Sequence, residues 1–356
     1  MVTLSDVQAS NAQIPTALPS GLVAVFVGAT NGIGESTLME FARHARQPRV
    51  YLVGRSQEAG DRIATECRQL NPDGEFTFIK ADLSLMRNVD DVCREIESKE
   101  NVINLLFLSC GVAMTGVGSS VRPTAEFGAD IRLDTSEGLH VILAVGYYAR
   151  ARFTINLLPL LRKATGLRRV VTVLAAGHNG PIYTDDIQAR NISVFSLRGH
   201  VVSMTDMLLE KLAEQAPEVS FVHDYPGAVK TGIGRDANTM LVRIVSWIMP
   251  VVGMFLYIPI RESGERHLFF ATSAKYPAPS DETAGVPVPA GVHVADGTDG
   301  ASGSGVYSIH WNGESAGPKV VRLLRGMREE GMTQQVWDHT EGEFKRIFDS
   351  KPSRDE

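Results

Sequence analysis

Gly28, Gly32 and Gly34 stand within seven positions of one another in "VAVFVGATNGIGEST", residues 23–37. Five apolar residues precede them, and a helical pattern follows. A strand that ends in a tight glycine turn and runs into a helix points several backbone N–H groups at one spot. The helix dipole adds positive character there, so the turn favours a phosphate. Gly28, Thr30, Asn31, Gly32, Ile33 and Gly34 are the candidate cradle. The competing reading gives the glycines only a packing role. Their place at the first strand–helix crossover favours the phosphate. The second strand ends in "VYLVGRSQ", with Arg55 just past it and no acid before it. A carboxylate there would bind a ribose 2′-hydroxyl, whereas a guanidinium matches the planar geometry of a 2′-phosphate. NADP(H) is therefore expected over NAD(H), against the alternative that Arg55 is a solvated loop charge.

The elements that position these residues alternate. Strands are expected at residues 23–27, 50–53, 76–79, 103–108, 170–174 and 219–223, and an edge strand at 305–311. Helices are expected at 32–46, 61–70, 84–98 (with Ser84 as its cap), 135–163, 199–215, 320–330 and 334–348. This alternation implies an α/β fold, a doubly wound parallel sheet of Rossmann type with helices on both faces. Residues 1–20 read as a flexible arm and 21–356 as a single domain. Within it, 114–130 reads as an inserted loop, 231–272 as a lid and substrate region, 278–305 as a mobile loop and 306–350 as a C-terminal extension.

Bulk properties exclude several classes. The chain has 356 residues, 44% hydrophobic and 21% charged, as in ordinary globular proteins. A formal net charge of −6 argues against a nucleic-acid partner. Cys67, Cys93 and Cys110 match neither a disulfide framework nor a zinc site, so no metal is expected and a reducing, cytoplasmic setting is.

Together these segments resemble the short-chain dehydrogenase/reductase family. "GATNGIG" (28–34) is similar to its glycine motif and "ADLS" (81–84) to its adenine-contacting segment, which implies cofactor roles for Asp82 and Leu83. "LSCG" (108–111) matches the family's Asn-Asn-Ala-Gly only at Gly111. "YPGAVKTGI" (225–233) is similar to the segment that contacts the nicotinamide end, which implies Pro226, Gly227 and Thr231. The last segment, including "VWDHTEGEF" (336–344), resembles fungal members.

The family's redox chemistry uses a Tyr proton donor, a Lys that lowers its pKa and holds the ribose, a Ser and an Asn. In this sequence the corresponding positions hold His200, Met204, Ala175 (beside Leu174) and Gly146. No tyrosine has Lys four residues on, so no shifted alignment hides the motif. Three readings follow. The first is an oxidoreductase with another acid, His200 or Tyr147, since an imidazole titrates near neutrality. The second is non-redox chemistry in the same pocket, such as cyclisation, isomerisation or dehydration. The third is nucleotide binding without catalysis. Against each candidate stands its bland alternative: a helical histidine is more often a packed residue than an acid, and Tyr147 or its neighbour Tyr148 is a packing residue. His178, Tyr183, His223 and Asp224 fall near the expected pocket mouth, where solvated or loop roles are the default.

Between Arg243 and Arg261 lie 17 uncharged residues, "IVSWIMPVVGMFLYIPI", interrupted by Pro250, Gly253 and Pro259. The length is at the short edge of a membrane span. An apolar lid is the first reading, peripheral membrane contact the second and a span the third. With Gly146 and Ala175, Trp247 and Met254 would line a pocket for a small hydrophobic substrate. A polyketide or terpenoid carbonyl compound of secondary metabolism is expected. The resemblance also implies a homodimer through the helices at 135–163 and 199–215.

Overall fold

The computed structural model describes residues 1–111, 134–229, 257–281 and 285–350. Seven strands form one parallel sheet in the order β3-β2-β1-β4-β5-β6-β7. They are β1 (Val23–Val27), β2 (Arg49–Gly54), β3 (Glu75–Lys80), β4 (Leu105–Leu108), β5 (Arg169–Val173), β6 (Ser220–Tyr225) and β7 (Val306–His310). β1, β4 and β5 are buried at every residue, so both their faces are covered; β1 and β4 run apolar without alternation, and β5 carries Arg169 and Thr172 among its valines. β3, at one edge, alternates between exposed and buried residues. β7 closes the other edge, Phe221 pairing with Val306 and Tyr225 with His310.

Helices cover both faces. One apolar layer joins α1 (Leu4–Asn11), α2 (Gly32–His44), α3 (Gln57–Leu70) and α7 (Ile260–Thr272) to the sheet. The opposite layer holds α4 (Met86–Glu97), α5 (Ala149–Lys163), α6 (Val194–Gln215), α8 (Pro318–Glu329) and α9 (Met332–Asp349). Order reverses between β1 and β4, and the crevice at such a reversal, beyond the carboxyl ends of the strands, is where these sheets take ligands.

Several sequence expectations are corrected. The N-terminal arm is folded. Thr3 and Asp6 form a reciprocal capping box at α1, and Val2, Val7, Ile14 and Leu18 are buried. Gln8 Nε2 donates to Glu265 Oε2 at 2.8 Å and Asn11 Nδ2 to Glu265 O at 2.9 Å, which fixes the arm on α7. α7, placed by sequence within the lid, is a core helix: every residue from Ser263 to Thr272 is buried. In the expected mobile loop Val286 and Ala295 are buried, and across its base Tyr307 Oη donates to Pro277 O at 2.7 Å. Ser84 does not cap α4. Its hydroxyl donates to Asp82 Oδ1 at 2.8 Å, and Glu137 accepts from the Met86 and Arg87 amides at the helix start. The long helix expected from 135 begins at Val141 and passes through a π-helical stretch, Ala144–Tyr148, before α5.

Among the described residues no helix is long and apolar enough to cross a membrane. Residues 244–256 of the uncharged stretch, with Trp247 and Met254, lie outside the described residues, as do the inserted loop 114–130 and Thr231.

Candidate functional site

The glycine turn has the geometry a bound phosphate needs. Gly28 stands at φ +86°, where side chains are strained, and a Cβ there would lie 2.4 Å from the Cys110 backbone nitrogen. At Gly34 a Cβ would lie 2.3 Å from Ser109 Oγ and 2.9 Å from Ala29 Cα. The chain after β4 therefore presses against the turn, which only glycine permits. Asn31 occupies the cap of α2 in an extended conformation, and its side chain makes no capping bond. The opening amides of α2 are thus left to an incoming group. Glu35, in the same turn, is compensated by Arg62 at 2.9 Å.

The second half of a dinucleotide has a place as well. Thr30 leans on Gly54 at the end of β2, and a Cβ on Gly54 would meet Thr30 Cγ2 at 2.4 Å. Arg55 follows in an exposed position. It lines a cavity of about 450 Å³ with Ala81, Asp82, Asn88 and Val92, between the end of β3 and α4. Asn88 Nδ2 donates to Asp82 O at 3.1 Å, fixing the rim. Leu83 is buried behind it, and Gly111 is exposed after β4 with no described atom within 4 Å of where a Cβ would stand. Past β6, Pro226 and Gly227 lead to a bridge between Val229 and Ile258, where Ile258 N donates to Ala228 O at 2.8 Å. The cradle, the guanidinium and this segment all lie at carboxyl ends of strands.

The catalytic candidates do not converge there. His200 is fully buried and both its ring nitrogens are engaged. The Tyr183 amide donates to Nδ1 at 3.2 Å, so Nε2 carries the proton and donates to Ile187 O at 2.9 Å. Burial holds its pKa below the usual histidine range. No free N–H of His200 faces a ligand. The residue clamps the loop after β5, and the expectation of a proton donor is corrected on that ground. Tyr147 is also corrected. It is buried and its hydroxyl meets Thr340 Oγ1 on α9 at 2.8 Å. Since Thr340 donates to Val336 O, Tyr147 donates to Thr340, and burial pushes its pKa well up. Tyr148 Oη meets His339 Nε2 at 2.6 Å on the same helix. Gly146, just before them, is buried, yet no described atom lies within 4 Å of where its Cβ would stand. Ala175 and Met204 are buried and carry no titratable group. Tyr183 is exposed near His200, with ring centroids 5.8 Å apart.

Polar groups that the sequence reading passed over, or left as loop residues, lie beneath these positions. Arg150, on α5, is buried. It donates to Leu108 O at 2.9 Å, to Thr172 Oγ1 at 2.5 Å and to Cys110 O, so a guanidinium ties together the ends of β4 and β5. Its signal was a lone charge within the buried stripe Leu143, Tyr147, Thr154, Leu157 and Leu161. His223 and Asp224 form pairs on opposite faces of the sheet. His223 Nδ1 meets Asp206 Oδ1 at 2.6 Å on α6, and Asp224 Oδ2 meets His267 Nε2 at 2.8 Å on α7. Asn179 donates to Asp206 Oδ2 at 2.7 Å, and Ser203 donates to Gly180 O at 2.7 Å. α6 thus grips the loop after β5 at several points.

α9 lies across α6 and the π-helical stretch. Arg152 stacks on Phe344 and Phe348 at 5.0 and 4.5 Å, and Arg328 of α8 pairs with Glu210 of α6 at 2.7 Å. The helices through which the resemblance implies a second chain therefore carry this chain's own tail.

A parallel sheet with this strand order, a glycine cradle at its first crossover and a guanidinium after its second strand define a Rossmann-type protein built around a dinucleotide crevice. The model of the short chain dehydrogenases matches residues 22–135. "Oxidoreductase AN1596" of Emericella nidulans is 40% identical over 346 residues, covering 96% of this chain and 97% of that protein. "Oxidoreductase andH" of Emericella variicolor is 36% identical over 98% of this chain and 99% of its own length. The 3-oxoacyl (acyl-carrier-protein) reductase of Agrobacterium tumefaciens C58, solved with NADP bound, shares the fold at a TM-score of 0.52 and 16% identity, over 75% of this chain and 92% of that one. The chain belongs to the short-chain dehydrogenase/reductase family.

Proposed function

We propose that this protein is an NADP(H)-dependent oxidoreductase acting on a hydrophobic, carbonyl-bearing intermediate of secondary metabolism, a polyketide or terpenoid, without the family's usual proton-delivery residues. The single observation that carries the reading is the cradle at Gly28 and Gly34, closed against Ser109 and Cys110, with Arg55 at the edge of the adjoining cavity. The φ of +86° and the 2.4 Å approach keep the turn tight enough for its amides and those of the following helix to converge on one group. Its relatives' names as oxidoreductases support the same direction.

On this reading the α2 amides hold the pyrophosphate, Arg55 the 2′-phosphate, Asp82 and Leu83 the adenine side, and Pro226 and Gly227 the nicotinamide end. The nicotinamide supplies or accepts hydride. Gly146 and Ala175 leave room where bulkier polar side chains would stand, so the substrate sits deeper and gains contact with the floor. A non-redox rearrangement in the same pocket is favoured by one observation: the four exchanged positions offer no free titratable group. The two readings separate in one assay. Protein, NADPH and a panel of apolar ketones are mixed, and cofactor absorbance is followed alongside product by mass spectrometry. Stoichiometric loss of NADPH with product is expected. Product formed with NADPH unspent overturns the redox reading, and no calorimetric binding of NADPH overturns the cofactor.

A further inference from the structure

At the carboxyl ends of β5, β6 and β7 three basic side chains gather around one aromatic ring. His178, in the loop after β5, stands edge-on to Tyr225 with centroids 4.6 Å apart. Arg198, on α6, lies over the same ring with Cζ 5.4 Å from its centroid. His310, the last residue of β7, packs on Gly177, where a Cβ would come within 2.8 Å of its ring. His178 is exposed, and the other three are half-buried.

None of the three basic side chains has an acidic partner among the described residues. Burial first, and then the neighbouring Arg198 and His310, hold the His178 pKa below the usual histidine range. The contrast with the nearby Arg266 is direct. That residue also lies over an aromatic ring, Trp311, at 5.1 Å, but Glu262 neutralises it at 2.8 Å. Arg198 is thus a fixed positive charge with no described counter-charge, and an anion joining it also meets the N–H donors of the two imidazoles. The Tyr225 ring supplies the apolar surface of the cluster. The position is the mouth of the crevice in which sheets of this kind take ligands.

We propose that His178, Arg198 and His310, set around Tyr225, form a subsite for a carboxylate carried on an apolar or aromatic body. Arg198 supplies the fixed charge and a planar pair of donors, the two imidazoles supply N–H donors, and Tyr225 flanks the body. The subsite lies outside the cradle and does not use Arg55, so it names a class of substrate beyond the cofactor reading: an acid, held by its carboxylate away from the reacting carbon. It rests on the redox reading only for what happens next, not for binding.

The test is binding, with NADPH present at saturation so that phosphate sites are filled. Benzoate is titrated into the full-length protein while the imidazole C–H resonances of His178 and His310 are followed by NMR, assigned with His178→Gln and His310→Gln. Benzyl alcohol and inorganic phosphate are titrated in parallel. Saturable shifts of both resonances by benzoate are expected, with at least tenfold weaker binding in Arg198→Gln and little response to benzyl alcohol. Unaltered thermal unfolding of Arg198→Gln shows that the fold is intact. Benzyl alcohol binding as well as benzoate, undiminished benzoate binding in Arg198→Gln, or absent shifts would each overturn the subsite. Phosphate binding more tightly than benzoate would overturn the carboxylate assignment. None of these outcomes depends on turnover, so they are separate from failure of the redox reading.

Discussion

Replacing His200 by Ala separates a structural clamp from a catalytic acid. The ring is fully buried, accepts from the Tyr183 amide at 3.2 Å and donates to Ile187 O at 2.9 Å. Removing it leaves both backbone groups without partners. Because Tyr183 is exposed and Ile187 half-buried, water re-solvates them in part, so each costs about 1 kcal/mol rather than the full penalty. The space left by the ring adds about 1–2 kcal/mol. The total is about 3 kcal/mol, which for a chain of this size lowers Tm by roughly 4 °C. His200→Gln, whose amide N–H can still reach Ile187 O, should recover about half of that. Turnover per folded molecule, measured well below the new Tm, should stay within about threefold of the native value. Loss of a general acid instead costs about 10²–10⁴-fold. The reasoning is refuted if His200→Ala keeps its Tm while losing turnover on that scale.

Four further outcomes follow from the geometry. Gly28→Ala places a Cβ 2.4 Å from backbone at φ +86°, so it should cost about 2–5 kcal/mol and remove NADPH binding in calorimetry. Arg55→Gln should weaken NADPH binding about 10–100-fold and leave NADH nearly unchanged, the loss of a charge-assisted contact to the 2′-phosphate. Gly146→Ala meets no described atom within 4 Å and is not at positive φ, so Tm should rise slightly while KM for a bulky substrate rises too; a lower Tm would mean the space is filled. Burial raises the Glu210 pKa from 4.5 to about 7 despite Thr298 and Arg328, so the folded state holds a proton that the unfolded state has released across that interval. Its contribution is therefore lost as pH rises from 4.5 to about 7, and Glu210→Gln should flatten that part of the Tm–pH curve.

The parts of the molecule written in local chemistry were readable from the chain. Buried β-branched runs such as residues 23–27 mark inner strands, and the turn after them needs glycine for reasons of backbone angle and approach that any sequence displays. The N-terminal arm also carried a local signal, the Thr3 and Asp6 capping box with Val7 behind it, hidden by Pro15 and Pro19. α7 was obscured because Arg261, Glu262, Glu265 and Arg266 make its sequence look solvated. Arg266 is nevertheless buried through its pair with Glu262, and Glu265 through bonds from the arm. Partners such as these, some 250 residues apart, leave no local pattern. The role of His200 was unreadable for the same reason, since its position suggested an acid, while the loop backbone that consumes both nitrogens comes from Tyr183 and Ile187.

The hydroxyls of Tyr147 and Tyr148 reach Thr340 and His339, and the same short stretch carries Gly146. The last helix is thereby moored to the short stretch that interrupts the long one, and loosening it would let that stretch shift. On the proposed reading of Gly146 as part of the substrate pocket, drift in this tail between relatives would retune what the enzyme accepts without touching a residue inside the crevice.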